Sequence, residues 1–302
     1  MRLALDMETR DPDDVLTLCL MATHPAASLA AVTVNPGTPA QLGVVRTVLD
    51  RLGVQVPVGA RIADGGADAV SPFHRHWLGA TPPARPDGVA HEVLARVLTE
   101  DPDTVLLTGA PLHNLRLLLN NHPAVTVRRW VAQGGFAGDN LVPAADRLEK
   151  FAGSVTRESF NFGHDAKGAL LALASERIGE RRLVSKNVTH GVAWDQPLHG
   201  RIAAHPDLTA GARLAVEAMG VYLEERPEGK LLHDPLAAAA VLDPAAFRWV
   251  EVEVFRERGL WGARPQADTR TFITVGVEEE RALDALLGGQ RPGRRACWRP
   301  VL

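Results

Sequence analysis

The segment Asp6-Met7-Glu8-Thr9-Arg10-Asp11-Pro12-Asp13-Asp14 follows directly on a short apolar run, Arg2 to Leu5. The apolar run is typical of a buried β-strand, and the spacing of apolar residues predicts a helix over Asp14 to Thr23. The acidic segment lies between the two and holds five carboxylates in nine residues. A strand that runs through a polar loop into a helix indicates a β-α unit, the building block of a parallel sheet.

The same alternation of strand and helix continues along most of the chain. Further strands are predicted at Ser28 to Val34, Val56 to Gly59, Thr104 to Thr108, Arg128 to Gln133 and Arg182 to Val184. Helical patterns lie between them, at Pro39 to Leu52, His91 to Glu100, Leu112 to Asn120 and Ala166 to Ala174. This pattern predicts the α/β class, with an open, mostly parallel twisted sheet and helices on both faces. Because no linker divides the sequence, we expect one domain over residues 1–302, with loop insertions near residues 61–87, 136–154 and 224–230.

Composition excludes several classes of function. Of the 302 residues, 46% are hydrophobic and 23% charged, as in ordinary globular proteins. A formal charge of -3 and a pI near 6.4 disfavour nucleic-acid binding, which needs a basic face. No apolar run reaches the roughly 18 residues of a membrane span, and an acid at position 6 is not typical of a signal peptide. Two cysteines cannot form a disulfide framework. We therefore expect a cytoplasmic protein without nucleic-acid or membrane partners.

The acidic segment is the strongest candidate for a functional site. Ligands of open parallel sheets bind beyond the carboxyl ends of the strands, which is where this segment lies. An Asp before a helix also caps backbone amides, but capping accounts for one or two of the acids. Clustered carboxylates repel each other unless a cation compensates them. The segment alone therefore leaves two interpretations open, a site for a hard cation, Ca²⁺ or Mg²⁺, and a structural role at the helix start.

Three more segments place polar residues or glycines at the end of a predicted strand or at the start of a predicted helix. Thr108 ends a predicted strand and is followed by Gly109, and Gln133 ends another and is followed by two glycines. Near the end of the chain, Asp234 stands in His233-Asp234-Pro235. The last motif is also typical of a simple helix start, with Asp as the cap and Pro in the first turn.

Together these segments resemble the inosine/uridine-preferring nucleoside hydrolase family. Its members carry an Asp-rich loop after the first strand, a Thr-Gly-Pro-Leu-Thr-Asn segment, a Met-Gly-Gly segment, a Glu-Phe-Asn segment and a late His-Asp-Pro. The chain has counterparts in the same order: Asp6 to Asp14, Thr108 to Asn114, Gln133 to Gly135, Glu158-Ser159-Phe160-Asn161 and His233 to Pro235. The likeness covers nearly the whole chain, so the sequence resembles a divergent member of this family.

The resemblance implies hydrolysis of the N-glycosidic bond of a ribonucleoside with the help of Ca²⁺. On the family pattern, the metal ligands are Glu8, Asp14, the carbonyl of Thr108 and Asp234, and Glu8 is also the catalytic base. The ribose hydroxyls would be bound by Asp13, Gln133, Glu158 and Asn161. His233 would face the leaving base and act as a catalytic acid. The resemblance also implies a homo-oligomer, a dimer or a tetramer.

The sequence departs from the family pattern at several of these positions. Glu8 replaces an Asp, and Thr9-Arg10 with one extra residue replaces a Pro-Gly pair. Gln133 stands in place of a Met, and Ser159 interrupts the Glu-Phe-Asn spacing. Arg10 and Gln133 favour, as an alternative, an N-glycosidase for a modified or phosphorylated nucleoside, because Arg binds phosphate well. A noncatalytic ribose- or nucleotide-binding protein on the same fold is a third interpretation.

Overall fold

A sheet of eleven strands forms the centre of the protein, which a computed structural model describes over residues 1–61 and 69–288. The strands are β1 Arg2–Met7, β2 Ser28–Val34, β3 Val58–Ala60, β4 Gly88–Val89, β5 Val105–Thr108, β6 Val127–Gln133, β7 Thr156–Arg157, β8 Ile178–Val184, β9 Ala193–Trp194, β10 Lys230–Leu231, β11 Phe247–Glu257, β12 Leu260–Pro265 and β13 Thr271–Val277. Their order in the sheet is β4-β3-β2-β1-β5-β6-β8-β13-β11-β12-β7. Every neighbouring pair from β4 to β13 is parallel, and the pairs beyond β13 are antiparallel. Strands β9 and β10 form a separate antiparallel pair.

Twelve α-helices of the described residues connect and cover these strands. They are α1 Pro12–Ala22, α2 Pro39–Arg51, α3 Pro72–Leu78, α4 Ala90–Glu100, α5 His113–Asn121, α6 Phe160–His164, α7 Ala166–Ala174, α8 Lys186–Thr189, α9 Gln196–Ala203, α10 Ala210–Glu225, α11 His233–Leu242 and α12 Glu279–Leu286. Local sequence explains several of their starts. Helix α2, for example, has Pro39 in its first turn, and the Thr38 hydroxyl accepts a hydrogen bond from the Gln41 amide.

Hydrophobic packing covers both faces of the sheet. Successive side chains of a strand point to opposite faces, and in β1 Leu3 and Leu5 join one buried cluster while Ala4 joins another. The first cluster contains buried residues of α1, α2, α10 and α11, and the second contains those of α4, α5 and α7. The predicted α/β fold, with a mostly parallel sheet and helices on both faces, is confirmed.

The three expected loop insertions contain short helices or connect longer elements. Helix α3 lies within residues 61–87, of which 62–68 are outside the described residues. Residues 136–154 include 3₁₀ helices at Ala144–Asp146 and Glu149–Phe151. Residues 224–230 connect α10 to β10. Among the helices in the described part of the chain, none is long and apolar enough to cross a membrane.

The carboxyl ends of the central strands bring distant segments to one edge of the sheet. Asp6 in β1 lies opposite Thr33 in β2 and Thr108 in β5, and Gln133 in β6 lies opposite Val184 in β8. The acidic segment therefore lies beside the residues that follow β5, β6 and β8. This is the edge at which ligands of open α/β sheets bind.

Candidate active site

Three buried carboxyl groups form the centre of the site. Glu8 follows β1, Asp14 lies in the first turn of α1, and Asp234 lies in the first turn of α11. Each residue is 6% exposed or less. Asp14 and Asp234 are close enough that the charge of Asp234 raises the pKa of Asp14. Residues more than two hundred positions apart in sequence thus form one acidic centre.

The pKa values of these carboxyl groups show how strongly the site disfavours their combined charge. Burial, followed by the charges of Asp234 and Glu8, raises the pKa of Asp14 well above its usual range. Burial also raises the pKa of Asp234. For Glu8, burial raises the pKa to about 7, although the charge of Arg10 lowers it. A nearby cation would reverse these shifts, because it favours the ionised form of each carboxyl group.

Asp6 lies beneath this centre and is fully buried. Its Oδ1 accepts hydrogen bonds from the Thr33 hydroxyl at 2.6 Å and from Asn114 Nδ2 at 2.7 Å. Its Oδ2 has no hydrogen-bond partner among the described residues. Burial raises the pKa of Asp6 to about 6, against the effect of both hydrogen bonds. Asp6 is therefore a buried acid with one free oxygen, a feature that the sequence did not reveal.

Asp13 connects the acidic segment to helix α11. Its Oδ2 accepts hydrogen bonds from the backbone amides of His233 and Asp234, at 2.9 and 3.0 Å. Its Oδ1 lies 3.3 Å from Nζ of Lys230, which also lies 2.8 Å from Asp11 Oδ1. Asp13 therefore caps a helix other than its own and fixes the position of Asp234. Sequence analysis did not identify Lys230, although it precedes His233 by only three residues.

Thr108 and Gly109 form the wall of the site next to Asp234. The Thr108 hydroxyl accepts a hydrogen bond from Trp130 Nε1 at 2.9 Å, and the Gly109 amide donates to the Asp6 carbonyl at 2.8 Å. A β-carbon on Gly109 would lie 2.2 Å from Asp234 Oδ2. The backbone after β5 thus approaches Asp234 as closely as only glycine permits.

Gln133 and Asn161 form a polar pair beside Gly109. Asn161 Nδ2 donates to Gln133 Oε1 at 2.8 Å and to the Gly109 carbonyl at 3.1 Å. Glu158 follows β7 and is exposed. Its neighbour Ser159 is buried, and the Ser159 hydroxyl accepts a hydrogen bond from the Gly135 amide at 3.1 Å. The role of Glu158 at the ribose stays a prediction.

His233 lies at the start of α11, beside the acidic centre. Its Nδ1 lies 3.1 Å from the Thr189 hydroxyl, and its ring lies 4.8 Å from that of His190, measured between centroids. Burial, followed by the charge of Lys230, lowers the pKa of His233 to about 4. At neutral pH the imidazole is therefore uncharged, and a role as a catalytic acid would require its neutral N–H group.

Arg10 lies at the rim of the site, with a side chain more than half exposed. Its Nε is 3.7 Å from Glu8 Oε2. In the described part of the chain, no three acidic, histidine or cysteine side chains have the arrangement of a preformed metal site. The charges of Arg10 and Lys230 compensate part of the acidic segment, whereas neither is paired with Asp14 or Asp234 in the described part of the chain.

Comparison with known proteins shows the class to which this arrangement belongs. A family model for inosine-uridine preferring nucleoside hydrolases matches residues 3–284. A pyrimidine-specific ribonucleoside hydrolase of Salmonella paratyphi A, RihA, is 30% identical over 270 residues, which are 80% of this chain and 81% of that protein.

Solved structures show the same fold. A plant nucleoside hydrolase superimposes with a TM-score of 0.71 at 18% identity, over 95% of this chain and 97% of its own. An inosine-uridine preferring nucleoside hydrolase of Bacillus anthracis gives a TM-score of 0.68 at 19% identity, over 95% of this chain and 99% of its own.

Fold, site and family match define an N-ribosyl hydrolase, an enzyme that hydrolyses the N-glycosidic bond of ribonucleosides. The chain belongs to the inosine-uridine preferring nucleoside hydrolase family. The resemblance inferred from the sequence motifs is therefore confirmed. The roles of individual residues and the identity of the metal remain predictions.

Proposed function

We propose that the protein is a calcium-dependent ribonucleoside hydrolase in which Glu8 is the catalytic base. One observation carries this proposal: Glu8, Asp14 and Asp234 are all buried, and their charges lie close enough to raise the pKa of Asp14. Such packing is unfavourable unless the site normally holds a cation. With the Thr108 carbonyl, these side chains supply only oxygen ligands, which is the donor chemistry that Ca²⁺ prefers.

The residues of the site would have different roles in the reaction. When bound, a divalent cation would keep the three carboxyl groups ionised and lower the pKa of a water molecule. Glu8 would accept the proton of the attacking water. Asp13, Gln133 and Asn161 would bind and orient the ribose, and His233 would lie against the leaving base. Negative charge around the ribose would stabilise the positive charge that develops on the sugar in the transition state.

A panel assay tests this proposal. The protein is dialysed against a chelator and incubated with uridine, cytidine, inosine and guanosine, with added Ca²⁺, with added Mg²⁺ or without either, and free base is measured. We expect hydrolysis of at least one nucleoside with Ca²⁺ and its loss after chelation. Full activity without a metal would contradict the role of the cation, and restoration by Mg²⁺ alone would contradict its identity. Binding of ribosides without hydrolysis would favour a noncatalytic protein.

The proposed enzyme is also expected to be a cytoplasmic homo-oligomer, a dimer or a tetramer. Light scattering on the purified protein measures its mass directly, and a mass near 32.5 kDa, that of one chain, would contradict the oligomer.

A further inference from the structure

Basic side chains are concentrated on one side of the candidate active site. The chain has only four lysines, Lys150, Lys167, Lys186 and Lys230. The charges of Lys150, Lys186 and Lys230 all lower the pKa of His190, after the larger effects of burial and of His233. Segments far apart in sequence thus place three of the four lysines near His190.

Lys150 contacts His190 directly, and Lys186 is the first residue of α8, the short helix that ends just before His190. We call Lys150, Lys186 and His190 the basic row. Lys150 Nζ lies 2.9 Å from His190 Nδ1 and donates to the His190 carbonyl at 3.2 Å. The His190 amide donates to the Lys186 carbonyl at 3.1 Å. Because the His190 ring also contacts His233, the basic row extends from the surface to the candidate site.

Carboxylates do not neutralise the basic row as they neutralise Lys230. Among residues 1–61 and 69–288, no carboxylate oxygen lies within 4.0 Å of Nζ of Lys150 or Lys186. The Glu158 carboxylate is near enough to raise the pKa of Lys186, but the charge of Arg157 opposes it. Partial burial and the charge of Lys186 lower the pKa of Lys150. In the described part of the chain these basic groups have no carboxylate contact, so they offer a place for an anion, as the buried carboxyl groups offer one for a cation.

The position of Lys186 relates the basic row to the sugar, whereas His190 lies against His233, the residue assigned to the base. Its amide donates to the Gly135 carbonyl at 3.2 Å, and its Nζ donates to the Glu158 carbonyl at 3.2 Å. These backbone groups follow Gln133 and precede Asn161, two of the residues assigned to the ribose. At the same wall the buried residue is the neutral Ser159, whereas the acidic Glu158 beside it is exposed.

We infer that the basic row binds a 5′-phosphate, so that the preferred substrates are ribonucleoside 5′-monophosphates. The inference rests on the proposed function, because it needs Gln133 and Asn161 to hold the ribose. The reaction is unchanged: water adds to C1′, the bond from C1′ to the base nitrogen breaks, and the electron pair and one proton go to the base. The phosphate is bound and released intact. Two ammonium groups and an imidazole suit a dianion better than they suit a neutral hydroxyl.

The test compares nucleosides with their 5′-monophosphates. We would measure kcat/KM for uridine, uridine 5′-monophosphate, inosine and inosine 5′-monophosphate in the parent and in Lys150→Gln, Lys186→Gln and Lys167→Gln. Lys167 is the matched control, because it is an exposed lysine on α7, away from the basic row. We expect the parent to prefer the monophosphate of at least one pair. Each basic-row variant should lower this preference roughly 10- to 100-fold, the effect of losing a hydrogen bond to a charged group.

Several outcomes would overturn the inference. It is wrong if the parent cleaves nucleoside and monophosphate equally well, or if the three lysine variants behave alike. Orotidine, which carries a carboxylate on the base, distinguishes the source of the anion. A preference for orotidine over uridine 5′-monophosphate that the basic-row variants lose would assign the basic row to the base instead.

Calorimetric titration separates a failure of this inference from a failure of the proposed function. Suppose that nothing is hydrolysed, that uridine 5′-monophosphate binds more tightly than uridine, and that Lys186→Gln removes this difference in affinity. The phosphate subsite would then be confirmed and the proposed activity would be wrong. Equal binding of both compounds by parent and variant would overturn the subsite whatever the activity.

Discussion

Gly109 stands so close to Asp234 that a β-carbon would lie 2.2 Å from Asp234 Oδ2 and 2.6 Å from its Cγ. Gly109→Ala should therefore push Asp234 out of the acidic centre, although alanine suits the local backbone. We expect turnover to fall by at least about 10-fold, since a displacement near 1 Å at a reacting centre costs up to 100-fold. Steady-state assays of free base at saturating metal would measure the loss.

A second glycine provides the control for this change. Gly200 lies in α9, and a β-carbon there would meet no atom within 4 Å. Gly200→Ala should keep the parent activity and give a slightly more stable helix. If both alanine variants retain full turnover, the position of Asp234 is not critical to the reaction.

Asp14→Asn tests the ligand set. The change removes one charge while keeping nearly the same shape, so the affinity for Ca²⁺ should fall steeply. Calorimetric titration with Ca²⁺ measures this, with Asp207→Asn as an exposed control outside the site. Equal affinities in Asp14→Asn and the parent would remove Asp14 from the ligands.

Much of the fold could be predicted from local pattern. Strand β2 and helix α7 have the predicted bounds, because their apolar residues alternate or recur at the period of a single element. The antiparallel strands β11 and β13 were not predicted. These two strands pair with each other, and whether a segment forms a strand depends largely on such neighbours. The sequence of either strand alone therefore gives a weak signal.

The candidate site could be predicted where one segment supplies it. The acidic residues Glu8 and Asp14 stand out locally, whereas the ion pairs of Lys230 with Asp11 and Asp13 depend on a long-range approach of two segments. Where the chain enters α6, Ser159 is buried and the acidic Glu158 beside it is exposed. Which of two adjacent residues faces a site depends on one backbone rotation, and sequence type alone does not determine it.

His24 should make stability depend on pH. It is 5% exposed, its Nδ1 accepts from the Ala26 amide at 3.1 Å, and its Nε2 lies 2.8 Å from the Ala285 carbonyl. Burial lowers the pKa of His24 in the folded protein, so the unfolded chain binds the proton more readily. The resulting stabilisation is complete above the unfolded pKa of about 6.5 and is lost as the pH falls from there toward the folded pKa.

Replacing His24 by Asn should remove this dependence, because Asn can accept from the Ala26 amide but does not titrate. Urea unfolding midpoints at pH 7.5 and pH 5.0 should differ less in His24→Asn than in the parent. His205→Asn is the control, since the exposed His205 makes the same type of bond, from the Asp207 amide to Nδ1 at 3.2 Å. If His24→Asn and His205→Asn change the pH dependence equally, the burial of His24 has no such effect.

Glu8 should titrate in the pH range of the assay, because burial raises its pKa to about 7. A base works only when ionised, so at limiting metal kcat/KM should rise as the pH increases through about 7. Saturating Ca²⁺ favours the charged carboxylate and should move this rise to lower pH.

Glu8→Gln should lower turnover by roughly two to four orders of magnitude while ribosides still bind. Glu8→Asp should not restore activity, because the shorter side chain falls short of the water. The exposed Glu92 provides the matched control, Glu92→Gln, which should keep the parent pH profile. If Glu8→Gln hydrolyses nucleosides at the parent rate, the base is another acid of this segment, with Asp11 and Asp13 next in line.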